Sequence, residues 1–313
     1  MTKVFPKYYT AFRCIGGRCE HNCCIGWEID IDDDTASHLS QLPDEWPKRV
    51  AAHTETEDGV THFVTDERGW CPFLNAERLC DFQLAFGQDV LCDICREHPR
   101  FHNELPDRTE SGLGLCCEAA ARLVLGQCEP FTLVADGPLN DDDEIIRLRD
   151  AVLAILSDRT LTIRERIKKM LALCDISFPA ISPTEWARML LSLERLDDAW
   201  GKHLALLRDG WKNADIQAFD AYMQQRQAEY EQWISYLVYR HVANAATTEQ
   251  AAVRVCFAVL GYVVLYALGA VYFAENGTFT FEEQCDLARA FSAEIEYSDE
   301  NFYILLDALG GVY

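Results

Sequence analysis

Positive charge is what this chain most lacks. Its 313 residues carry 28 Lys and Arg against 51 Asp and Glu, a formal net charge of −23. The deficit is not local: up to residue 128 the count is 12 against 22, and beyond it 16 against 29. DNA or RNA would be repelled along the whole chain, and no Lys/Arg stripe offsets that, so nucleic-acid binding is excluded as a reading. A basic, lysine-bearing protein surface would be attracted. An acidic surface kept for solubility accounts for the same charge.

Other absences narrow the field. The opening MTKVFPKYY has no basic start, apolar stretch or small-residue cleavage site, which sets the expectation of a cytoplasmic protein. Structural disulfides are rare in that reducing compartment. No glycine-rich fingerprint follows a strand, so a Rossmann-type methyl-donor or dinucleotide site is not supported. Gly16-Gly17, between two cysteines, reads instead as a tight turn. Eight His give nothing that singles out a Ser-His-Asp or Cys-His hydrolase set. There is no internal repeat and no low-complexity segment.

Cysteine is scarce in one part of the chain and dense in the other. Beyond Cys128 only Cys174, Cys256 and Cys285 occur, whereas eleven of the fourteen stand at or before it. They group as Cys14-x4-Cys19-x3-Cys23-Cys24, Cys71-x8-Cys80-x11-Cys92-x2-Cys95 and Cys116-Cys117. A thiolate is a nucleophile, a disulfide partner or a soft metal ligand. In a reducing compartment this clustering points to metal. Zinc and iron–sulfur centres each take about four ligands, so the thiols exceed one such site. Successive side chains diverge, so Cys23 and Cys24 should not both face one ion. Spacing alone leaves zinc and iron open.

The composition changes near residue 140, which predicts a cysteine-rich region over 1–138 and a helical bundle over 139–313. Gly137 to Glu144 reads as a turn and an acid-rich first helical turn. Apolar residues at Ile145, Leu148, Val152 and Ile155, and at Ile163, Ile167, Met170 and Leu171, keep helical spacing. Ser182-Pro183-Thr184-Glu185 is a capping-box start for a helix expected to run to Asp209-Gly210. Thr280 with Glu283, and Ser298 with Asn301, suggest two last helices. The first region reads as irregular: Asp32 to Thr35 caps a short helix, Thr61–Thr65 and Phe131–Ala135 are strands, and Glu118–Leu125 is a helix. The fold class is thus mainly α, with a loop-rich metal region packed on a bundle.

Val255 to Ala274 is an uncharged run of bilayer-spanning length. Gly261, Gly269 and tyrosines spread along it favour a buried central helix over a span. Association with a membrane through 255–274 stays as the alternative.

The words around the cysteines carry a resemblance. CIGGRCEHNCCIGWEIDID (from Cys14), WCPFLNAERLCDFQLAFGQDVLCDICREHPR (from Trp70) and LCCEAAARLVL (from Leu115) resemble the flagellin lysine-N-methylase family. That family is in turn similar to a broader group of zinc- or iron-chelating cysteine-rich domains. YLVYRHV (from Tyr236), the stretch from Trp186 to Leu204 and IEYSDENFYILL (from Ile295) resemble the family's helical C-terminal part. The resemblance implies a cytosolic bacterial enzyme that moves methyl groups from S-adenosylmethionine to surface lysines of flagellin. It also implies a [4Fe-4S] cluster in the cysteine-rich region, zinc being the alternative. The candidate ligands are Cys14, Cys19, Cys23, Cys24, Cys71, Cys80, Cys92, Cys95 and one of Cys116 and Cys117, taken as Cys117.

Two departures from the family's pattern stand out. His98 replaces an expected aromatic before Pro99-Arg100, either as a ligand beside Cys92 and Cys95 or as an ordinary buried His. Gly26 stands where a third cysteine would complete the loop that leaves an iron open to S-adenosylmethionine. Trp27 and the Tyr8, Tyr9, Phe12 group suit either a methyl-donor pocket or the core. Glu28, Asp30 and Asp32 alternate as one strand face would, without nominating a catalytic group. A non-enzymatic zinc- or iron-chelating protein is the competing function.

Overall fold

Side-chain caps decide where the helices of this chain begin. In the computed structural model, which describes residues 1–27, 29–140 and 142–310, Ser182 Oγ accepts from Glu185 N. The Glu185 carboxylate accepts in return from Ser182 N at 2.8 Å, starting the helix Pro183–Leu191. The same reciprocal pair at Thr280 and Glu283 starts Phe281–Phe291, and Ser298 caps Asp299–Ala308. Thr162 and Glu165 form a further box before Ile163–Leu173, a cap that periodicity alone does not reveal. Each satisfies backbone N–H groups that a helix start leaves without partners.

The helix expected from Ser182 to Gly210 is two helices. Pro183–Leu191 ends, and Asp198–Gly210 starts anew with Asp197 accepting from Ala199 N. Glu294 supplies the physical reason: its carboxylate takes Leu196 N and Asp197 N, both at 2.8 Å, which holds that backbone out of the helix.

The chain divides into two compact units, and composition places their boundary differently. One comprises Met1–Phe12, His102–Cys116 and Ala120–Tyr313; the other comprises Arg13–Phe101 and Cys117–Ala119. Strand pairing explains why the beginning of the chain belongs with the helices. Thr2–Pro6 pairs in parallel with Arg108–Leu113 and antiparallel with Leu133–Ala135. A four-stranded sheet results, with Arg100–Glu104 at its other edge. Of its strands only the last was anticipated, from Phe131–Ala135.

The larger unit is built around the helix Thr248–Asn276, whose apolar stretch is 89% buried. Gln227–His241, Asp198–Gly210, Glu144–Leu156 and Phe281–Phe291 pack on it. Gly261 lets Leu237 and Trp233 come against its backbone, and Gly269 does the same for Phe219 and Phe279. Neighbouring helices of the unit cover the side chains of 255–274, as expected of a buried central helix. Tyr8 and Phe12 are core residues of this unit.

The smaller unit has a three-stranded antiparallel sheet of Ile29–Asp30, Val60–Phe63 and Thr54–Glu57, joined by short helices. Its core is Ile29, Phe63, Phe73 and Phe82 with Cys71 and Cys92, the rings of Phe73 and Phe82 4.2 Å apart. Arg49 pairs with Asp81 at 2.6 Å along its side. The carboxylate alternation does not form one face. Asp30 is exposed, Asp32 turns to cap Asp33–Ser40 by accepting from Thr35 N, and Glu28 lies outside the described residues.

The expected turn at Gly16-Gly17 is present, with Gly16 at φ +58°. A Cβ on Gly17 would drive into the backbone carbonyl of Glu77. Gly17→Ala should therefore cost about 1–3 kcal/mol, since a backbone carbonyl cannot rotate aside. Chemical denaturation monitored by Trp27 and Trp70 fluorescence checks this, and an unchanged midpoint would contradict it.

Candidate functional site

All nine thiols proposed as metal ligands fall in the smaller unit: Cys14, Cys19, Cys23, Cys24, Cys71, Cys80, Cys92, Cys95 and Cys117. Cys116, one residue earlier, belongs to the other, so the vicinal pair is split. Cys71 N donates to Cys24 O at 2.8 Å, joining the first cysteine block to the second. Around that junction six thiols gather. A hydrogen bond with Cys23, then burial, then the charges of Cys23, Cys71 and Cys95 push the Cys24 thiol well above its ordinary value. Cys95 is raised likewise by its bond with Cys92, by burial, and by Cys92, Cys71 and Cys23. Burial, with Cys80 and Cys92 nearby, pushes Cys71 up to about 11. Burial also raises Cys80, with Asp81 and Cys23 adding to it. Cys23 alone moves down, because Cys24 hydrogen-bonds it.

The remaining three thiols are Cys14, Cys19 and Cys117, the last beside Cys19. Cys14 is exposed, its sulfur accepting from Gly16 N at 3.4 Å. Cys19 lies 3.4 Å from Glu118 Oε2 and is pushed up to about 12, by burial first and then by Glu118 and Cys117. His98 is a partly buried imidazole, its pKa lowered to about 4 by desolvation, facing the half-exposed Trp27 ring at 6.0 Å. Among the described residues, no group of three or more His, Cys, Asp or Glu is arranged to hold a metal ion. The sulfurs converge without forming a closed coordination sphere.

The larger unit holds a second constellation, which the sequence did not reveal as a site. Glu296, its side chain fully buried, accepts from the Tyr236 hydroxyl, 3.0 Å from each carboxylate oxygen, and meets His241 Nε2 at 2.6 Å. Arg240 Nε stands 3.5 Å from the same carboxylate and its NH1 donates to the Tyr236 oxygen at 2.7 Å. Leu115 N also donates to that oxygen, at 3.2 Å. Burial pushes the Glu296 carboxyl up, but Arg240 and His241 outweigh it and hold the group ionised below the ordinary range. His241 is lowered by burial and stays neutral. Its backbone carbonyl accepts from Arg254 at 3.2 Å. The turn Ser292–Glu296 that delivers Glu296 is π-helical, a departure frequent at functional sites.

The signal available for these residues was the words themselves. Tyr236, Arg240 and His241 lie in YLVYRHV, Glu296 and Tyr297 in IEYSDENFY, and Leu115 and Cys116 in LCC. Periodicity within each word gives no hint that the three meet.

Residues 181–310 match the FliB lysine N-methylase C-terminal domain. Over that segment, about two-fifths of its length, the chain is similar to lysine N-methylases. The segment contains Tyr236, Arg240, His241, Glu296 and Tyr297. Among curated proteins, the chain is similar to a lysine-N-methylase of Salmonella choleraesuis strain SC-B67, 26% identical over 144 residues, 42% of this chain and 35% of that protein. A lysine-N-methylase of Salmonella typhimurium strain LT2 is 25% identical over the same shares. The flagellar biosynthetic protein FliU of Salmonella muenchen is 25% identical over 42% of this chain and 82% of its own length. The match thus spans about a third of the two lysine-N-methylases. No solved structure matches.

The titrations in the family segment fix a pH response. Folding refuses His241 a proton that the unfolded chain takes up below about 6.5, so stability falls as pH drops through that value. The depressed carboxyl of Glu296 adds stability that is present above its unfolded value and is lost as pH falls below about 4.3. Thermal unfolding should show a Tm that declines from pH 7.5 to 5 and declines less in His241→Gln. A Tm flat over that interval, or an unchanged slope in the variant, would contradict the assignment.

Proposed function

We propose that this chain is a protein-lysine N-methyltransferase that moves methyl groups from S-adenosylmethionine to flagellin. The observation that carries the reading is the match of residues 181–310 to a lysine N-methylase domain, together with the similarity of the chain to lysine-N-methylases and a flagellar biosynthetic protein. The acidic surface suits a lysine-bearing partner and disfavours nucleic acid. We place the protein in the bacterial cytoplasm.

We further propose that the thiol cluster carries metal. The donor set fits such a group: six sulfurs gather in a small apolar core, and as thiolates they would repel one another unless a cation sat among them. Cys23, Cys24, Cys71, Cys80, Cys92 and Cys95 supply more sulfur than one centre needs. An all-sulfur set suits a [4Fe-4S] cluster first and zinc second. Bound there, the group would tie the loops of the smaller unit together. The thiol cluster by itself also favours a second reading, a non-enzymatic iron- or zinc-chelating protein.

Two measurements separate these. Flagellin from cells with and without this protein should differ in mass by whole methyl groups on lysine, and an unchanged mass would rule out the methylase reading for that substrate. Anaerobically purified protein should contain iron and sulfide, or zinc. Cys71→Ser and Cys95→Ser should each lose that metal, whereas Cys174→Ser, Cys256→Ser and Cys285→Ser should retain it. Protein without iron or zinc and with fully titratable thiols would end the metal proposal.

A further inference from the structure

The buried network reaches the surface at one residue. Tyr297 directly follows Glu296, is 43% exposed, and its ring lies 4.6 Å from the guanidinium carbon of Arg240. The Tyr297 side chain is within hydrogen-bonding reach of the Cys116 thiol. Arg240 is held from behind by Glu296 and Tyr236, the carboxylate being on the fully buried side. The result is a fixed cation beneath a half-exposed phenol, on a chain otherwise rich in surface carboxylates.

Methyl transfer to lysine poses the problem such a pair solves. An ammonium has no lone pair, so the amine must lose its proton, to water, before it attacks. Its lone pair then forms the N–C bond as the methyl–sulfur bond of the sulfonium donor breaks, with those electrons going to sulfur. The methylated ammonium releases its second proton to water. A neighbouring cation disfavours the ammonium form, and a phenol can accept from or donate to the free amine and aim it.

Resting on the methyltransferase reading above, we propose that Tyr297 and Arg240 seat the target lysine: Tyr297 orients the amine and Arg240 keeps it neutral. Glu296, Tyr236 and His241 act as positioning residues that hold Arg240 in place. The groups facing the pair are Glu296 and Tyr236 from within and Cys116 beside it. His241 and Arg254 lie on the far side of Glu296. Asp299 and Glu300, exposed at the start of the next helix, face water and can attract the incoming lysine without neutralising Arg240.

The test uses the purified full chain, purified flagellin and S-adenosylmethionine, with methyl incorporation followed against pH. Tyr297→Phe, at a half-exposed position, should leave Tm unchanged and lower kcat about tenfold or more with little change in KM for flagellin. Arg240→Gln should move the acidic limb of the kcat profile, which reports the bound lysine, upward by about one pH unit, because the seated lysine then deprotonates nearer its ordinary value. Arg240→Lys, keeping the charge, should keep the limb in place. If wild type methylates flagellin but Tyr297→Phe matches it in kcat and pH profile, the seat is wrong while the methylase reading stands. An unshifted limb in folded Arg240→Gln overturns the role of the cation. Wild type that transfers no methyl group to flagellin overturns both readings.

Discussion

A helix with no polar face has to be enclosed, and in the larger unit that requirement comes before everything else. Val255 to Ala274 offers no charge to water on any side, so neighbours must supply a complete apolar sleeve. Gly261 and Gly269 let that sleeve close tightly, because aromatic and Leu side chains come directly against the backbone there. Helices 144–156, 198–210, 227–241 and 281–291 are the sleeve. Each is amphipathic or buried according to how much of the central helix it covers. Burial at roughly 25 cal/mol per Å² makes this enclosure the main source of the unit's stability.

Enclosure creates a second constraint, since the sleeve helices carry charges that end up inside. Glu231, 1% exposed, is met by Arg159 at 2.9 Å and Arg166 at 2.7 Å. Glu110 is met by Arg149, both buried. Glu296 is met by Tyr236, His241 and Arg240. Breaking such a pair from one side leaves an uncompensated charge and costs about 3–5 kcal/mol. In the first two sites the carboxylate is matched by arginines distant in sequence, which is enough to explain them as structure. The third differs, because its cation is shared with an aromatic ring that reaches solvent. In the first two the outermost member is itself a charged side chain, Arg159 or the Asp150 that Arg149 also meets, whereas in the third it is the Tyr297 ring.

The sequence was legible where structure is local. Capping boxes at Ser182 and Thr280 marked true helix starts, Glu118–Leu125 was read to the residue, and the tight turn at Gly16-Gly17 followed from its two glycines. It misled where a distant residue intervened. Nothing between Ser182 and Gly210 announces that Glu294 will capture the backbone at Leu196 and Asp197 and split the helix. The sheet was hidden for the same reason: Thr2–Pro6 finds its parallel partner about a hundred residues away, and parallel pairing leaves no hairpin signal. Glu296 and Tyr236 stand 60 residues apart and His241 55. Only the resemblance of the words containing them hinted that they matter. Six of the cysteines do draw together, as their grouping along the chain suggested.

The thiol unit follows a different logic from the helical one. Its core is small and is walled partly by sulfur: Cys71 and Cys92 are among its buried residues, with Cys24, Cys80 and Cys95 packed against them. As neutral thiols these are ordinary small hydrophobes, and the raised values of Cys24, Cys71, Cys80 and Cys95 say that this is the form the bare protein prefers. Metal binding would require the opposite form, so any ion must overcome both burial and mutual repulsion of thiolates. Cys23 breaks the pattern, since the bond from Cys24 favours its thiolate. In such an arrangement the proximity of the sulfurs is set by the fold, and their charge by whatever they hold.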